Sequence, residues 1–260
     1  MCGRAESSSL RSPEASIGSG RKPLRHQYIY WLVDCSAPML TDGTIQALNN
    51  AMREWIPQIK YSSEHKPEVR VMIYVISFST GAKWHSANSG CDAARFEWED
   101  IIVDSNTQNR DIGAALNLVT ENLQSLPMRK WGDLSPIIAL ISEADCFPTD
   151  NFDKALYEFR SNSWGKMALR LAFPLGSGAA DHKSHRFMVN DQNIFTSGQS
   201  LSSMLENMTR MMESCWEMSI PVFPVGVTYS FGGVDPIPMP IDLPEPPKNI
   251  LMPTVQGDPW

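Results

Sequence analysis

The chain has 260 residues, 42% hydrophobic and 20% charged, with a formal net charge of −7. That size and composition fit one soluble globular domain with tails. The acidic balance argues against a general binder of nucleic acid or anionic membrane, and no apolar run is long enough to span a bilayer.

Residues 1–26 are rich in Ser, Gly and Arg and carry no apolar periodicity, so they read as a disordered tail. They begin Met-Cys-Gly-Arg without an apolar stretch, which is not a secretory signal and argues against an adhesion role. Five scattered cysteines with no CxxC pair read as the reduced thiols of a cytoplasmic protein. The run Tyr28–Val33 is β-branched and aromatic and predicts a strand buried on both faces, ending on Asp34-Cys35-Ser36-Ala37-Pro38. A helix capped by Thr41 or Asp42 comes next, to about Lys60, with Ile45, Leu48, Met52, Trp55, Ile56 and Ile59 inward and Pro57 expected to kink or end it.

Val69–Phe78 predicts a second strand, and residues 80–105 a short edge strand with loops. Asp111–Leu126 reads as a helix, Pro136–Ser142 as a third central strand, and Pro148-Thr149-Asp150 as the opening of a helix to about Arg160. Met167–Phe173 predicts a fourth strand, Asn193–Thr196 a short one, and Gln199–Met218 a helix whose inward stripe is rich in methionine. Strands alternating with helices predict an α/β fold: an open, mostly parallel, doubly wound sheet with helices on both faces. Ten of the last forty residues are proline, so 221–260 reads as an extended tail and 27–220 as the domain.

Three stretches then carry a family resemblance. Tyr30-Trp31-Leu32-Val33-Asp34-Cys35-Ser36-Ala37-Pro38-Met39 resembles the strand and Asp-x-Ser-x-Ser opening of von Willebrand factor A (VWA) domains. Asp111-Ile112-Gly113-Ala114-Ala115-Leu116 resembles the helix that normally follows a metal-binding threonine. Leu140 through Asp150 resembles the family's Leu-x-Thr-Asp-Gly-x-Pro-Thr-Asp segment. Within the family the chain is most similar to the TerY-like bacterial subgroup.

The resemblance implies a metal-ion-dependent adhesion site (MIDAS) built from Asp, Ser, Ser, Thr and Asp. On this chain those positions fall at Asp34, Ser36, Pro38, Arg110 and Glu143, so the motif is degenerate. Pro38 has no side-chain oxygen, and a guanidinium cannot ligate a cation. Arg110 is therefore expected to pair with Asp34 or Glu143 in place of Mg²⁺, and no cofactor is expected. In a shifted register Thr107, which lies with Asn106 and Asn109 just before Arg110, is the counterpart of the threonine and Asp145 replaces the acid, which would leave Mg²⁺ binding open.

His182 and His185 stand at i, i+3 without further ligands, and His26, His65 and His85 read as surface residues. Gly176-Ser177-Gly178 lacks a phosphate-binding continuation, and Ser36 has no recognisable base. Asp145, Trp131 and Trp260 are candidates for a partner-binding edge. The resemblance implies a non-enzymatic adaptor in a bacterial stress-response or phage-defence system. Its partners would be proteins, such as a kinase, phosphatase or ATPase of the same gene cluster, and not nucleic acid or membrane. The alternatives are a metal-switchable binding domain and a metal-dependent hydrolase or phosphatase using Asp34 and Asp145.

Overall fold

A computed structural model describes residues 24–128, 132–143, 151–175 and 200–217. Its centre is a six-stranded sheet made of β1 (Arg25–Asp34), β2 (Val69–Phe78), β3 (Ala82–Trp84), β4 (Cys91–Asp92), β5 (Ile137–Glu143) and β6 (Leu169–Leu175). The order is β3-β2-β1-β5-β6, with β4 also on β2. The strands β2, β1, β5 and β6 run parallel, while β3 and β4 return antiparallel along β2. The direction in which strands are added reverses at β1: one crossover leads from β1 to β2, and later ones build outward through β5 and β6. The carboxyl ends of β1 and β5 thus flank a topological switch point, where ligands of open α/β sheets bind.

The two-residue period of β1 divides the core. Ile29, Trp31 and Val33 face α1 (Thr44–Glu64) and α5 (Leu201–Glu217). Tyr28, Tyr30 and Leu32 face α2 (Ile112–Ser125) and α3 (Phe152–Ser161). On the first face Trp31 meets Trp55 edge-on at 5.1 Å and Phe173 at 5.8 Å between ring centroids. On the second Tyr30 stacks on Tyr74 at 4.5 Å, and its hydroxyl donates to Asn122 Oδ1 over 2.6 Å. A core on both faces explains why the central strands read as continuous apolar runs.

Several boundaries depart from the sequence reading. β1 begins at Arg25, not Tyr28, because His26 is tied to the chain before β5: its backbone N–H and its Nδ1 both meet Asp133 Oδ1, at 2.8 and 3.0 Å. His26 is therefore no plain surface residue. Neither Thr41 nor Asp42 caps a helix. Residues 37–43 form a 3-10 turn in which Asp42 is left-handed, with φ +53°, and α1 starts at Thr44 after Gly43, with φ +72°. Pro57 does not end α1, which runs on to Glu64. Its ring lies on the exposed side, where water can satisfy the Arg53 carbonyl that loses its N–H partner, while Trp55, Ile56, Ile59 and Ser62 hold the buried side. Met167 belongs to the short helix α4 (Ser163–Met167), which Asn162 caps through the N–H groups of Trp164 and Gly165. The inward stripe of α5 is as expected, with Thr209 added. The strand at Asn193–Thr196, the segments 1–23 and 221–260, and His182, His185 and Gly176-Ser177-Gly178 lie outside the described residues.

Candidate functional site at the carboxyl edge of the sheet

Asp34 is the last residue of β1 and is wholly buried, as is Ser36. A carboxylate in that position needs partners, and the local chain supplies them. The Ser36 N–H donates to Asp34 Oδ1 over 2.8 Å, an Asx-type turn that folds the chain back on the strand end. Ser36 then opens the 3-10 turn, and Pro38 in its first turn presets the backbone. Cys35 points the other way: its backbone N–H and its thiol both donate to the Phe78 carbonyl at the end of β2, at 2.9 and 3.2 Å. Burial pushes the Cys35 thiol pKa up, so it is no activated nucleophile.

A second segment is stitched across the first. Asp104 N–H donates to the Cys35 carbonyl, Ala37 N–H donates to the Thr107 carbonyl over 2.8 Å, and Asp111 N–H donates to the Ser79 carbonyl over 2.7 Å. Asp111 also caps α2, its Oδ1 accepting from Ala114 N–H at 2.9 Å. Gly113 lies in the first turn of α2, where a Cβ would come within 3.2 Å of the Asn151 backbone carbon; the close approach of α2 to the start of α3 thus favours glycine. Between these anchors Arg110 is directed inward, only 8% exposed. Its Nε lies 3.2 Å from Ser36 Oγ and 3.4 Å from Asp34 Oδ2.

The structure thus brings together Asp34, Ser36 and Arg110. Pro38 stands beside them and contributes only backbone. Glu143 closes β5, whose neighbouring residue Ile141 pairs with Val33, so its backbone lies at the same sheet edge. Asp145, which the hydrolase reading uses beside Asp34, lies outside the described residues, as do Trp131 and Trp260. Sequence reasoning did not single out Leu40 and Ile102, which are 47% and 85% exposed on the two stitched segments. Their signal was faint: an apolar residue beside polar turn chemistry, with no period to set it apart.

Among the described residues the arrangement does not fit a divalent cation. Such an ion needs several oxygens at about 2.0–2.1 Å. Here Ser36 Oγ and Asp34 Oδ2 already hold a guanidinium, and a second positive charge at those atoms would be repelled at short range. Among the described residues no group of three or more His, Cys, Asp and Glu could hold a metal. Thr107, whose carbonyl accepts from the Ala37 N–H, has a buried hydroxyl with no hydrogen-bond partner among the described residues.

The chain matches no protein-family model and no curated protein. It is similar to solved structures of low identity. The PilB minor pilin from Streptococcus sanguinis aligns with TM-score 0.53 and 12% identity, over 76% of this chain and 63% of that one. The mussel byssus proximal thread matrix protein 1, in a form with a zinc-occupied MIDAS motif, aligns with TM-score 0.50 and 13% identity, over 73% and 46%. A von Willebrand factor type A protein from Catenulispora acidiphila aligns with TM-score 0.49 and 11% identity, over 72% and 42%. The chain therefore spans between 42% and 63% of the length of these structures. At such identities the likeness is one of fold alone, a mostly parallel α/β sheet flanked by helices.

Proposed function

We propose that this domain is a non-enzymatic protein-interaction module that works at the carboxyl edge of its sheet without a metal. The observation that carries the reading is the closed trio of Asp34, Ser36 and Arg110. Among the described residues it leaves no accessible nucleophile and no cation cradle, while the segments stitched over it present Leu40 and Ile102 to solvent. Exposed aliphatic side chains on hydrogen-bonded loops suit a protein surface better than a small substrate. Arg110 then takes the role that a zinc-occupied MIDAS motif has in the mussel protein, making the site a degenerate MIDAS. The resemblance of the three motif stretches supports a TerY-like adaptor in a bacterial defence or stress system, cytoplasmic, with a kinase, phosphatase or ATPase as partner. Among the described residues no helix is long and apolar enough to cross a membrane.

The test is affinity capture from the native cells with the wild type and edge variants. Ile102→Asp and Leu40→Asp should lose the specific partner, and Tyr157→Asp, on exposed α3 surface, should retain it. Chelation of divalent ions should change nothing. Recovery of the same partner with the Ile102 and Leu40 variants would place binding elsewhere. A metal-switchable reading rests on one observation, the buried and unpartnered hydroxyl of Thr107, whose backbone is bonded to Ala37. Calorimetric titration with Mg²⁺ and Mn²⁺ separates the two: measurable heat of binding belongs to the switchable domain.

A further inference from the structure

The helices α1 and α5 run side by side in the same direction. Their cross-links fix the alignment: Ser202 meets Glu54, Trp55 meets Thr209, Ser62 meets Glu213 and Lys66 meets Glu217. Over their second halves they enclose a groove of about 500 Å³, walled by Pro57, Gln58 and Tyr61 on α1 and by Thr209, Arg210 and Glu213 on α5. The Tyr61 ring is 63% exposed and held by His65, with ring centroids 3.9 Å apart. A rigid, half-exposed aromatic beside a proline ring is the kind of wall on which extended proline-containing segments dock.

The chain itself supplies such a segment at the right place. α5 ends at Glu217, paired to Lys66 over 3.2 Å, one turn beyond the groove. The next residues are Met218-Ser219-Ile220, then Pro221-Val222-Phe223-Pro224-Val225-Gly226-Val227, a stretch without a single charge. From Glu217 back to Glu206 is about 16 Å along the helix at 1.5 Å per residue. Residues 218–220 suffice to reverse the chain, and five residues of extended polyproline geometry cover about 15 Å. The tether also raises the segment's effective concentration to about the millimolar range, more than a free partner reaches.

We infer that residues 221–227 dock intramolecularly into the α1–α5 groove, with Phe223 seated against Tyr61. This docking is independent of the binding edge proposed above.

Photocrosslinking of the full chain with p-benzoylphenylalanine in place of Phe223 tests it. The expected crosslink joins 223 to the peptide spanning 57–62, within one chain in a mixture of light and heavy isotope-labelled protein. Its yield should hold over a hundredfold dilution. Tyr61→Glu should reduce that yield at least tenfold and Tyr61→Phe should preserve it, both without change in the far-UV melting curve. Crosslinks between chains, crosslinks to other peptides, no crosslink, or an undiminished yield in Tyr61→Glu would each overturn the assignment.

Discussion

Replacing Arg110 with threonine tests the electrostatic account of the site. The guanidinium is 8% exposed and faces a carboxylate, Asp34, that is fully buried. Its removal leaves that carboxylate with the Ser36 N–H but without the cation at 3.4 Å. Breaking a buried pair from one side costs about 3–5 kcal/mol, a large share of the roughly 5–15 kcal/mol that stabilises an ordinary domain. At about 2–4 °C per kcal/mol for a domain of this size, the melting temperature should fall by roughly 6–20 °C. Arg53–Asp100 provides the internal comparison, since both partners are about half exposed and Arg53→Thr should cost at most about 1 kcal/mol. Urea unfolding at neutral pH, followed by far-UV circular dichroism, reads both numbers. The double variant Asp34→Asn, Arg110→Thr should regain much of the loss, because the two effects share one interaction. Millimolar Mg²⁺ should rescue none of it, since Pro38 still offers no side-chain oxygen. If Arg110→Thr proves as mild as Arg53→Thr, or if wild-type melting rises clearly with Mg²⁺, the charge-replacement argument is wrong.

Three further outcomes rest on packing and burial. Gly90→Ala should destabilise by about 1–3 kcal/mol in the same unfolding assay, because Gly90 has φ +72° and a Cβ there would enter the Tyr74 ring. Trp55→Phe should cost about 1 kcal/mol for the lost 2.8 Å donation to Thr209 Oγ1, with no change in unfolding slope; a neutral result would mean water replaces it. Burial, reinforced by Tyr28, pushes the Tyr74 hydroxyl up to about 12, and burial with Tyr74 and Tyr28 nearby pushes Tyr30 up as well. A raised folded pKa means that their contribution is intact below about pH 10, the unfolded tyrosine value, and is lost as pH rises toward 12. Part of the 295 nm tyrosinate signal should therefore appear only with loss of secondary structure. Complete ionisation in the folded protein at pH 11 would contradict this.

The sheet was legible because its strands are buried on both faces. Val69–Phe78 has its observed bounds in the bare sequence, since a mostly apolar run, broken only by Arg70 and Ser77, is satisfied by burial in the middle of a sheet. The α5 stripe was legible for the same reason at helical spacing. Asp34 and Ser36 stood out because polar groups ending such a run must be used for something. Arg110 could be tied to them only through a family resemblance, as 74 residues separate it from Ser36 and no local period connects them. Two errors share a cause. Pro57 and the start of α1 were judged by local propensity, whereas tertiary packing decides on which side of the helix a proline falls and where the first turn closes. The His26–Asp133 link, across 107 residues, has no trace in the composition around either residue.

Asn49 in α1 gives the edge a property that its irregular backbone would not suggest. The side-chain amide donates to the Ile101 carbonyl over 3.2 Å and accepts from the Ile101 N–H over 2.9 Å, with Trp98 Nε1 donating to the same oxygen over 3.1 Å. A single side chain thus imitates the peptide unit of a neighbouring strand and satisfies both polar groups of one residue in a stretch outside the sheet ladder. The span from Ile101 to Arg110 is therefore a measured length of chain pinned at its near end to a helix, not a slack loop. An Asn49→Asp change keeps the size and removes the donor, setting a carboxylate against the Ile101 carbonyl. It would release Ile102, while the bonds of Asp104 to Cys35 and of Thr107 to Ala37 still hold the chain ahead of Arg110, so one helix side chain would govern the exposed surface without disturbing the buried charge.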